Sequence, residues 1–583
     1  MKVTTYFVSL VLAIVCIALA FEFGLEQLLP EAYRGYLVEE GEDEVKWGYG
    51  PFEPSQATLG FNSPIKLKKP DDTIRIISLG ASGTEGWLSA KAVFNKYNQK
   101  WENKSLSSYS RVIEFSLNEL SGPSSKRVEV INLGVAAYNI TDVIRMLKDS
   151  LQLDPDLFLI HVGVNEGWTS ERSKWSSFLN DEAPYLFDET PYFYSEIGYE
   201  IFTEIKAGWT TLDTGGNAFS PMALFKTRGK PIVPEPAGRE AGLEDRLENY
   251  KSELRRLGTF LSRKKIPAVF LIPTQNLAGF QPFGSMAKVG ANEEELDELN
   301  RLLIAALAER SPDAKGKYLE ILKIDDGVAE ANFQLGKIYL QENSPDKARE
   351  YFWKANDRDI ILKRPPGAFH DATRDFVEKN NFPSIDAMGL LESMSLNANV
   401  GNNFIYDDVH PIRTAQYYMG TEVVKIIINS DLLQAENQFD GLQKLPIFDE
   451  YNDWTGFDQE AEGSLAFLRA VHNYFAFGRF RQRMNWDPRP DVYLEPIIEY
   501  LDVANSYVQN DQSLYLSALL NIFMAQEEEA RRVIGEMDCH SSAERAALVR
   551  SGMTQSRFQL FGRSNQEVKR KVQQLLDMEG CIK

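Results

Sequence analysis

The 583-residue sequence predicts an α/β fold with a parallel β-sheet, and two observations carry this prediction. Four short runs of apolar and β-branched residues alternate with segments whose apolar residues recur at helical spacing, which is typical of parallel sheets. Three of the four runs end at a glycine. Because open α/β sheets place their sites at the carboxyl ends of their strands, we expect a site at these glycines.

The predicted strands follow one another in regular order. They cover residues 74–79, 128–133, 157–162 and 268–272. The helices predicted between them cover residues 105–120, 141–151 and 243–264. The first three strands end at Gly80, Gly134 and Gly163, and the fourth ends at Pro273.

Two insertions interrupt this alternation. Residues 169–236 are rich in Trp, Tyr and Phe, which could line a substrate cleft or form the small core of a lid-like subdomain. Residues 293–362 are predicted to be helical, and residues 329–357 within them resemble one tetratricopeptide repeat (TPR), with small Gly336 and Ala348 where two helices would meet. A lone repeat cannot bury its own faces, so it should pack on the core, on neighbouring helices or on a protein partner.

The two ends of the chain have distinct character. In residues 1–21, Lys2 precedes 19 uncharged residues that predict either a signal peptide cleaved after Ala20 or a membrane anchor at residues 3–21. Both interpretations place the remaining chain outside the cytoplasm, in the periplasm or beyond. Residues 22–70 contain five prolines and predict a lead-in or stalk, whereas residues 445–583 predict a helical C-terminal region without a catalytic motif.

The composition excludes several functional classes. A net charge of -21 repels phosphate backbones, so nucleic acid is not an expected partner. The three cysteines form no CxxC pair, no histidine begins the HExxH motif of a zinc protease, and no Walker-type phosphate loop is present. We therefore expect neither a metal nor a cofactor.

Ser82 directly follows the first predicted strand, in Gly80-Ala81-Ser82-Gly83-Thr84. A serine in a glycine-rich turn ordinarily bonds its own backbone. This segment is also not the GxSxG elbow of α/β-hydrolases, because position 84 is threonine. Ser82 becomes a candidate nucleophile only in combination with the residues that follow the other strands.

Three further blocks complete the pattern. They are Gly134 after Asn132-Leu133, the segment Gly163-Val164-Asn165-Glu166, and Asp407-Asp408-Val409-His410-Pro411 before a helical run at residues 414–428. In this order the four blocks resemble the SGNH/GDSL hydrolase superfamily over residues 71–430, with Ser82, Gly134, Asn165 and His410 at its four functional positions. The resemblance implies a three-layer, flavodoxin-like SGNH hydrolase fold, here with a TPR-like helical insertion and a helical C-terminal region.

The resemblance also implies a function. It is that of a serine esterase acting on carboxylic esters of a carbohydrate or lipid, with Ser82 as nucleophile, His410 as general base and Asp407 as the carboxylate that orients His410. The oxyanion hole would consist of the Ser82 and Gly134 backbone N–H groups and the Asn165 side-chain amide. Asp408 would be a solvated neighbour.

Some features depart from the family or leave alternatives open. Ala81 and Glu166 stand where the family usually has aspartate. The chain is also similar to exported bacterial GDSL-like proteins with an inserted TPR segment, whose charged stretch matches here at Asp357, Asp359 and Arg364. An envelope-polysaccharide acyltransferase with the same triad, or a non-catalytic TPR scaffold, are the alternative functions. His161 is expected in the core and His370 on the surface.

Overall fold

The structure is a computed structural model of the chain. It describes residues 37–39, 44–47, 65–86, 91–95, 100–104, 108–135, 138–166, 230–235, 239–309, 314–395, 397–430, 432–433, 439–477, 487, 489, 491–508, 511–524, 526–536, 570 and 574. The predicted segment 1–21 and most of the aromatic-rich insertion lie outside these residues. Among the described residues, no helix has both the length and the apolar composition needed to cross a membrane.

Strands and helices alternate through the first two-thirds of the chain, and helices follow. The strands are β1 (Leu37–Glu39), β2 (Glu44–Trp47), β3 (Ile65–Lys66), β4 (Thr73–Gly80), β5 (Lys91–Asn95), β6 (Lys100–Lys104), β7 (Arg127–Asn132), β8 (Leu157–His161), β9 (Ile232–Pro234), β10 (Ala268–Ile272), β11 (Ser285–Ala287) and β12 (Ser384–Asp386). The helices are α1 (Ser82–Glu85), α2 (Tyr109–Glu119), α3 (Ile140–Ser150), α4 (Arg239–Lys264), α5 (Glu293–Ala308), α6 (Lys315–Ile324), α7 (Ala329–Gln341), α8 (Pro345–Asp357), α9 (Gly367–Lys379), α10 (Ala387–Met394), α11 (Arg413–Asn429), α12 (Phe448–Thr455), α13 (Gln459–Phe477), α14 (Asp491–Tyr507), α15 (Asp511–Phe523) and α16 (Glu527–Gly535).

The central sheet has five strands in the order β12-β10-β8-β4-β7, and every neighbouring pair is parallel. This confirms the predicted α/β class with a parallel sheet. In chain order the sequence of strands is 2-1-3-4-5, the order of doubly wound flavodoxin-like sheets. The fifth strand, β12, was not predicted, because its three residues are too few to produce a periodic signal.

Helices cover both faces of this sheet. Ile77 and Leu79 of β4 belong to a core shared with α3, α4 and α9, whereas Ile74 and Ile76 belong to a second core shared with α2 and α11. Successive strand residues point to opposite faces, so a strand buried on both faces must be apolar almost throughout. The sheet therefore forms the middle of three layers.

The helical insertion packs onto this α/β unit. A Cβ atom on Gly336 of α7 would lie 2.6 Å from Phe352 of α8, so glycine allows the two helices to approach closely. Phe333 and Phe352 in turn pack with Phe404 and Ile405, which lie in the loop before α11. In the first turn of α7, Glu330 pairs with the buried Arg489 at 3.3 Å, so the chain after α13 also contacts this helix.

Candidate active site

Ser82 lies at the point where β4 passes into the short helix α1. The N–H groups of Thr84 and Glu85 both donate to the carbonyl of Ala81, at 3.0 Å each. The turn is therefore closed by backbone bonds, and Ala81 contributes no carboxylate to it. The N–H groups of Ser82 and Gly83 lie in the first turn of α1, where a helix offers them no acceptor of its own.

His410 and Asp407 lie against this serine, although 328 residues separate His410 from Ser82. His410 Nε2 is 2.7 Å from Ser82 Oγ, and His410 Nδ1 is 2.6 Å from Asp407 Oδ2. Asp407 Oδ1 accepts from the backbone N–H of His410 at 2.8 Å. The carboxylate is buried, whereas 13% of the His410 side chain is exposed. These bonds form one continuous chain from carboxylate to hydroxyl.

The loop that carries His410 is held by Asn276, which follows β10. The buried Asn276 side chain donates to the carbonyl of Asp407 at 2.8 Å and of Ile405 at 3.2 Å, and its backbone N–H donates to the carbonyl of Asp408 at 2.9 Å. Arg364 in turn donates to the Asn276 carbonyl at 2.8 Å. Asn276 was not identified from the sequence, although its position just past a strand end is the signal that could have indicated it.

Asp408 is not the solvated neighbour that was predicted. Only 7% of its side chain is exposed, and its carboxylate pairs with Lys363 at 3.2 Å. Arg364, next to Lys363, is buried and pairs with Asp359 at 3.3 Å. A buried carboxylate needs such a partner, so Asp408 belongs to a charged cluster beside Asp407 and His410. Sequence register alone could not show this, because Lys363 is 45 positions away.

Asn165 lies in the loop after β8, the strand next to β4. Gly80 pairs with His161 in the parallel register, so Ser82 and Asn165 follow neighbouring strands at the same edge of the sheet. The Asn165 side-chain amide donates to the carbonyl of Tyr138 at 2.8 Å. The loop begins at Gly163, whose φ of 104° lies in the left-handed region that favours glycine.

Glu166, at the end of this loop, is buried and accepts from the Ile140 N–H at 2.8 Å, at the start of α3. Burial raises the pKa of Glu166 to about 7, although the backbone amides of Glu166, Ile140, Gly163 and Asn165 act to lower it. The longer side chain thus ties the loop after β8 to α3. Glu166 therefore has a structural role in this loop.

Gly134 packs against the serine turn, and its N–H, predicted for the oxyanion hole, already has an acceptor. A Cβ atom at this position would lie 2.4 Å from the Glu85 nitrogen, so only glycine fits. Its N–H donates instead to Asn132 Oδ1 at 2.9 Å. The Asn132 side-chain amide nitrogen donates to the Thr84 carbonyl at 2.7 Å. This bond orients the Asn132 side-chain oxygen toward the Gly134 N–H. The oxyanion-hole role of the Gly134 N–H therefore stays a prediction that requires this bond to be given up.

Two histidines are buried: His161 lies against the serine turn, and His370 lies within electrostatic range of His161. His161 has its Nδ1 3.3 Å from Thr84 Oγ1, and burial, followed by the proximity of His370, lowers its pKa to about 4. His370 is also buried, with a pKa lowered to about 4 by burial, so the prediction that it lies on the surface was wrong. It lies on the inner face of α9, which the sequence did not predict as a helix. Burial therefore favours the neutral form of both imidazoles.

Among the described residues, one group of side chains could be considered for a metal ion. Ligand atoms of Asp407, Asp408 and His410 lie within 4.8 Å of one another. His410 Nδ1 already bonds Asp407, and Asp408 pairs with Lys363. A cation would have to break both contacts, so the residues fit a proton-transfer site better than a metal site.

Comparisons with known proteins extend this description only slightly. No protein-family model and no curated protein matches the chain. One solved structure that resembles it is LAE5, an alpha/beta hydrolase enzyme from the metagenome of Lake Arreo, Spain, with 12% sequence identity and a TM-score of 0.26. The match covers 62% of this chain and 96% of that one. At this TM-score and identity the likeness identifies neither the fold nor the function. The parallel sheet shows the fold class, and the chemistry is inferred from the geometry of the site.

The arrangement is suited to moving a proton from a hydroxyl to an imidazole. With Nδ1–H donating to Asp407, the free lone pair of His410 is on Nε2 and faces Ser82 Oγ. A hydroxyl placed in this way can be deprotonated as it attacks an electrophile, and the imidazolium that forms is stabilised by the carboxylate. Of the residues predicted from the sequence, the structure brings Ser82, His410 and Asp407 into direct contact.

Proposed function

We propose that this protein is a serine ester hydrolase of the SGNH/GDSL type, which acts on carboxylic esters of a carbohydrate or lipid. The observation that carries this proposal is the chain of two short hydrogen bonds, 2.6 and 2.7 Å, from Asp407 through His410 to Ser82. The 2-1-3-4-5 strand order supports it, because that order is shared by flavodoxin-like folds. We also propose that the α7–α8 hairpin is a TPR-like element.

The proposed reaction has two steps. Ser82 Oγ attacks the ester carbonyl while His410 Nε2 takes its proton, and His410 then returns that proton to the departing alcohol. The product of this step is an acyl ester on Ser82. A water molecule next gives a proton to His410 as it attacks the acyl carbon. The bond from that carbon to Ser82 Oγ then breaks, His410 returns the proton to Oγ, and the carboxylic acid leaves. Asp407 keeps its charge throughout and stabilises the imidazolium.

The carbonyl oxygen of the ester becomes negatively charged in each step and needs hydrogen-bond donors. We propose that the Ser82 N–H and the Asn165 amide provide them, with the Gly134 N–H joining only if it gives up its bond to Asn132. Asn165→Ala is expected to lower kcat by about 10²- to 10³-fold with little change in KM, because the charge exists only in the transition state. Steady-state kinetics on one ester measures this. A rise in KM of similar size with kcat unchanged would show that Asn165 is not part of the oxyanion hole.

Asn276→Ala tests whether the His410 loop depends on its anchor. We expect the free energy of unfolding to fall by about 3 kcal/mol, because buried carbonyls lose their donor, and kcat per folded molecule to fall as well. Asn300→Ala is the matched control, since buried Asn300 of α5 bonds Ile232 and Leu296 in a similar way, beside a core cluster that contains no residue of β4. Urea unfolding measures the loss of stability in both variants, and steady-state kinetics measures kcat. Unchanged kcat in Asn276→Ala would contradict a positioning role.

The proposed activity itself is tested with full-length protein on p-nitrophenyl esters of increasing acyl length and on acetylated sugars. We expect turnover of at least one class. Adding excess sugar as acceptor then separates the alternatives, because a polysaccharide acyltransferase would pass the acyl group to sugar in preference to water. No turnover and no transfer would favour the scaffold alternative and overturn the proposal.

We propose, finally, that residues 1–21 export the protein and either anchor it in the membrane or are cleaved after Ala20. Cell fractionation with N-terminal sequencing tests this. Recovery of the chain outside the cytoplasm is expected, with an intact N-terminus in the membrane fraction if residues 3–21 act as an anchor. Recovery only in the cytoplasm would contradict export.

A further inference from the structure

Gln416 connects the turn that carries Ser82 to the helix that follows His410. It lies near the start of α11, and its side chain is fully buried. The side-chain amide nitrogen donates to the Gly83 carbonyl at 2.9 Å, and the side-chain oxygen accepts from the Tyr109 backbone N–H at 3.0 Å. One side chain of α11 is therefore bonded both to the serine turn and to the first residue of α2.

The contacts of Tyr109 return to the same turn. Its hydroxyl lies 2.9 Å from Thr84 Oγ1, and Thr84 directly follows Gly83 in α1. The hydrogen bonds from Gly83 to Gln416, from Gln416 to Tyr109 and from Tyr109 to Thr84 thus close a ring. The side chains of Thr84, Tyr109 and Gln416 are all fully buried. Because water does not reach them to replace a lost partner, each bond of the ring constrains the others.

The two backbone groups that Gln416 bonds require opposite partners. The Gly83 carbonyl only accepts hydrogen bonds, whereas the Tyr109 N–H only donates one. A side-chain amide has both a donor and an acceptor at its end, so glutamine satisfies both groups at once. Methionine is similar in length, but it has no N–H donor and only a weak acceptor. Without Gln416 the buried Gly83 carbonyl would lose this donor, and the turn would have to shift to find another.

Packing places this ring directly beside the triad. Tyr109 of α2 and Met419 of α11 belong to one buried core, so the two helices are held together on the same face of the sheet. A Cβ atom on Gly83 would lie 3.9 Å from Pro411 Cδ. Because Pro411 directly follows His410, the serine turn and the histidine loop meet at this point.

We propose that Gln416 is a positioning residue for the reaction, which fixes the serine turn against α11 and so sets the 2.7 Å contact between Ser82 Oγ and His410 Nε2. The inference rests on the proposed function. Ser82 and His410 lie on separate segments, so their distance depends on how the two segments are held together. A displacement of about 1 Å between reacting groups can lower a rate by about 10²-fold. The turn also carries the Ser82 N–H proposed for the oxyanion hole.

The test compares Gln416→Met with a control variant that loses similar bonds elsewhere. Asn118 of α2 donates to the Val128 carbonyl at 2.8 Å and accepts from the Val128 N–H at 2.9 Å. Val128 pairs with Ile74 near the start of β4, at the edge of the sheet opposite to Ser82. In Gln416→Met we expect kcat per folded molecule for one ester to fall by about 10- to 100-fold, with KM changed by less than about 2-fold. Asn118→Leu should lower the urea midpoint and keep the wild-type kcat.

Reaction with a fluorophosphonate gives a second measurement, because it reports on Ser82 without ester binding. The rate constant for adduct formation should fall in Gln416→Met by a factor similar to the loss in kcat, and should not fall in Asn118→Leu. Tyr109→Phe removes only the hydroxyl that bonds Thr84 and should lower kcat several-fold. Combined with Gln416→Met, it should cost less than the product of the two separate effects, because both act on the same turn.

The outcomes separate this inference from the proposed function on which it rests. Wild-type kcat and adduct rates in Gln416→Met would overturn the inference while the proposed function stands. If Gln416→Met does not fold, wild-type kcat in Tyr109→Phe would overturn it in the same way. An equal loss of kcat in Asn118→Leu would also overturn it, because the loss would then follow stability rather than position. If wild-type protein shows no Ser82-dependent turnover, the proposed function fails and the inference fails with it.

Discussion

Replacing Ser82 by alanine is expected to lower kcat for ester hydrolysis by about 10⁵- to 10⁶-fold, the largest effect of any single substitution in this chain. Without the hydroxyl no acyl ester can form, and only uncatalysed attack by water in the oxyanion site remains. The side chain is buried and small, so its loss creates almost no cavity. The free energy of unfolding should therefore change little.

A double substitution gives the internal control for this prediction. His410 Nε2 bonds the hydroxyl that the first change removes, so Ser82→Ala with His410→Ala should be no slower than Ser82→Ala alone. Residues that act as a unit show this lack of additivity. If the second change lowered kcat by a further large factor, the two side chains would act independently and the proposed roles would be wrong.

Asp407→Asn is expected to lower kcat by about 10⁴-fold, and Asp408→Asn by less than about 10-fold. The amide at position 407 cannot accept the Nδ1–H of His410 in the same way and favours the wrong tautomer, whereas Asp408 has no bond to the imidazole. Asp408→Asn is the matched control, because it changes the neighbouring buried carboxylate in the same manner.

Measuring both kcat and the thermal unfolding temperature distinguishes the effects of Asp407→Asn and Asp408→Asn. Asp408→Asn breaks the ion pair with Lys363 and should lower the unfolding temperature more than it lowers turnover. Equal losses of turnover in both variants would show that Asp407 is not the orienting carboxylate. Asp408→Glu should restore stability in part, since the pair with Lys363 can form again.

Several features could be predicted from the sequence because they depend on local patterns. The four strands found from apolar runs are all present, and the residues after β4 and β8 do lie at one edge of the sheet. The contact of Ser82 with His410 followed from the order of short blocks, each placed at a strand or helix end. In such cases the local signal and the tertiary arrangement agree, because parallel strands bring their carboxyl ends together.

The features that were missed depend on contacts between distant parts of the chain. The burial of Asp408 and His370 depends on Lys363 and on the unpredicted α9, and the anchoring by Asn276 depends on a loop 131 positions away. The Gly134 N–H is satisfied by Asn132 only because the Thr84 carbonyl fixes that side chain. No periodicity in the sequence records such pairings.

The central claim is that Ser82 is the nucleophile, and mass spectrometry of the protein after reaction with a fluorophosphonate tests it most directly. At neutral pH the wild-type chain should gain one adduct, mapped by digestion to the peptide that contains Ser82. Ser82→Ala should gain none, and Asp407→Asn should react far more slowly than Asp408→Asn. An adduct on another serine, or a wild-type chain that stays unmodified while a known serine esterase in the same tube reacts fully, would contradict the account.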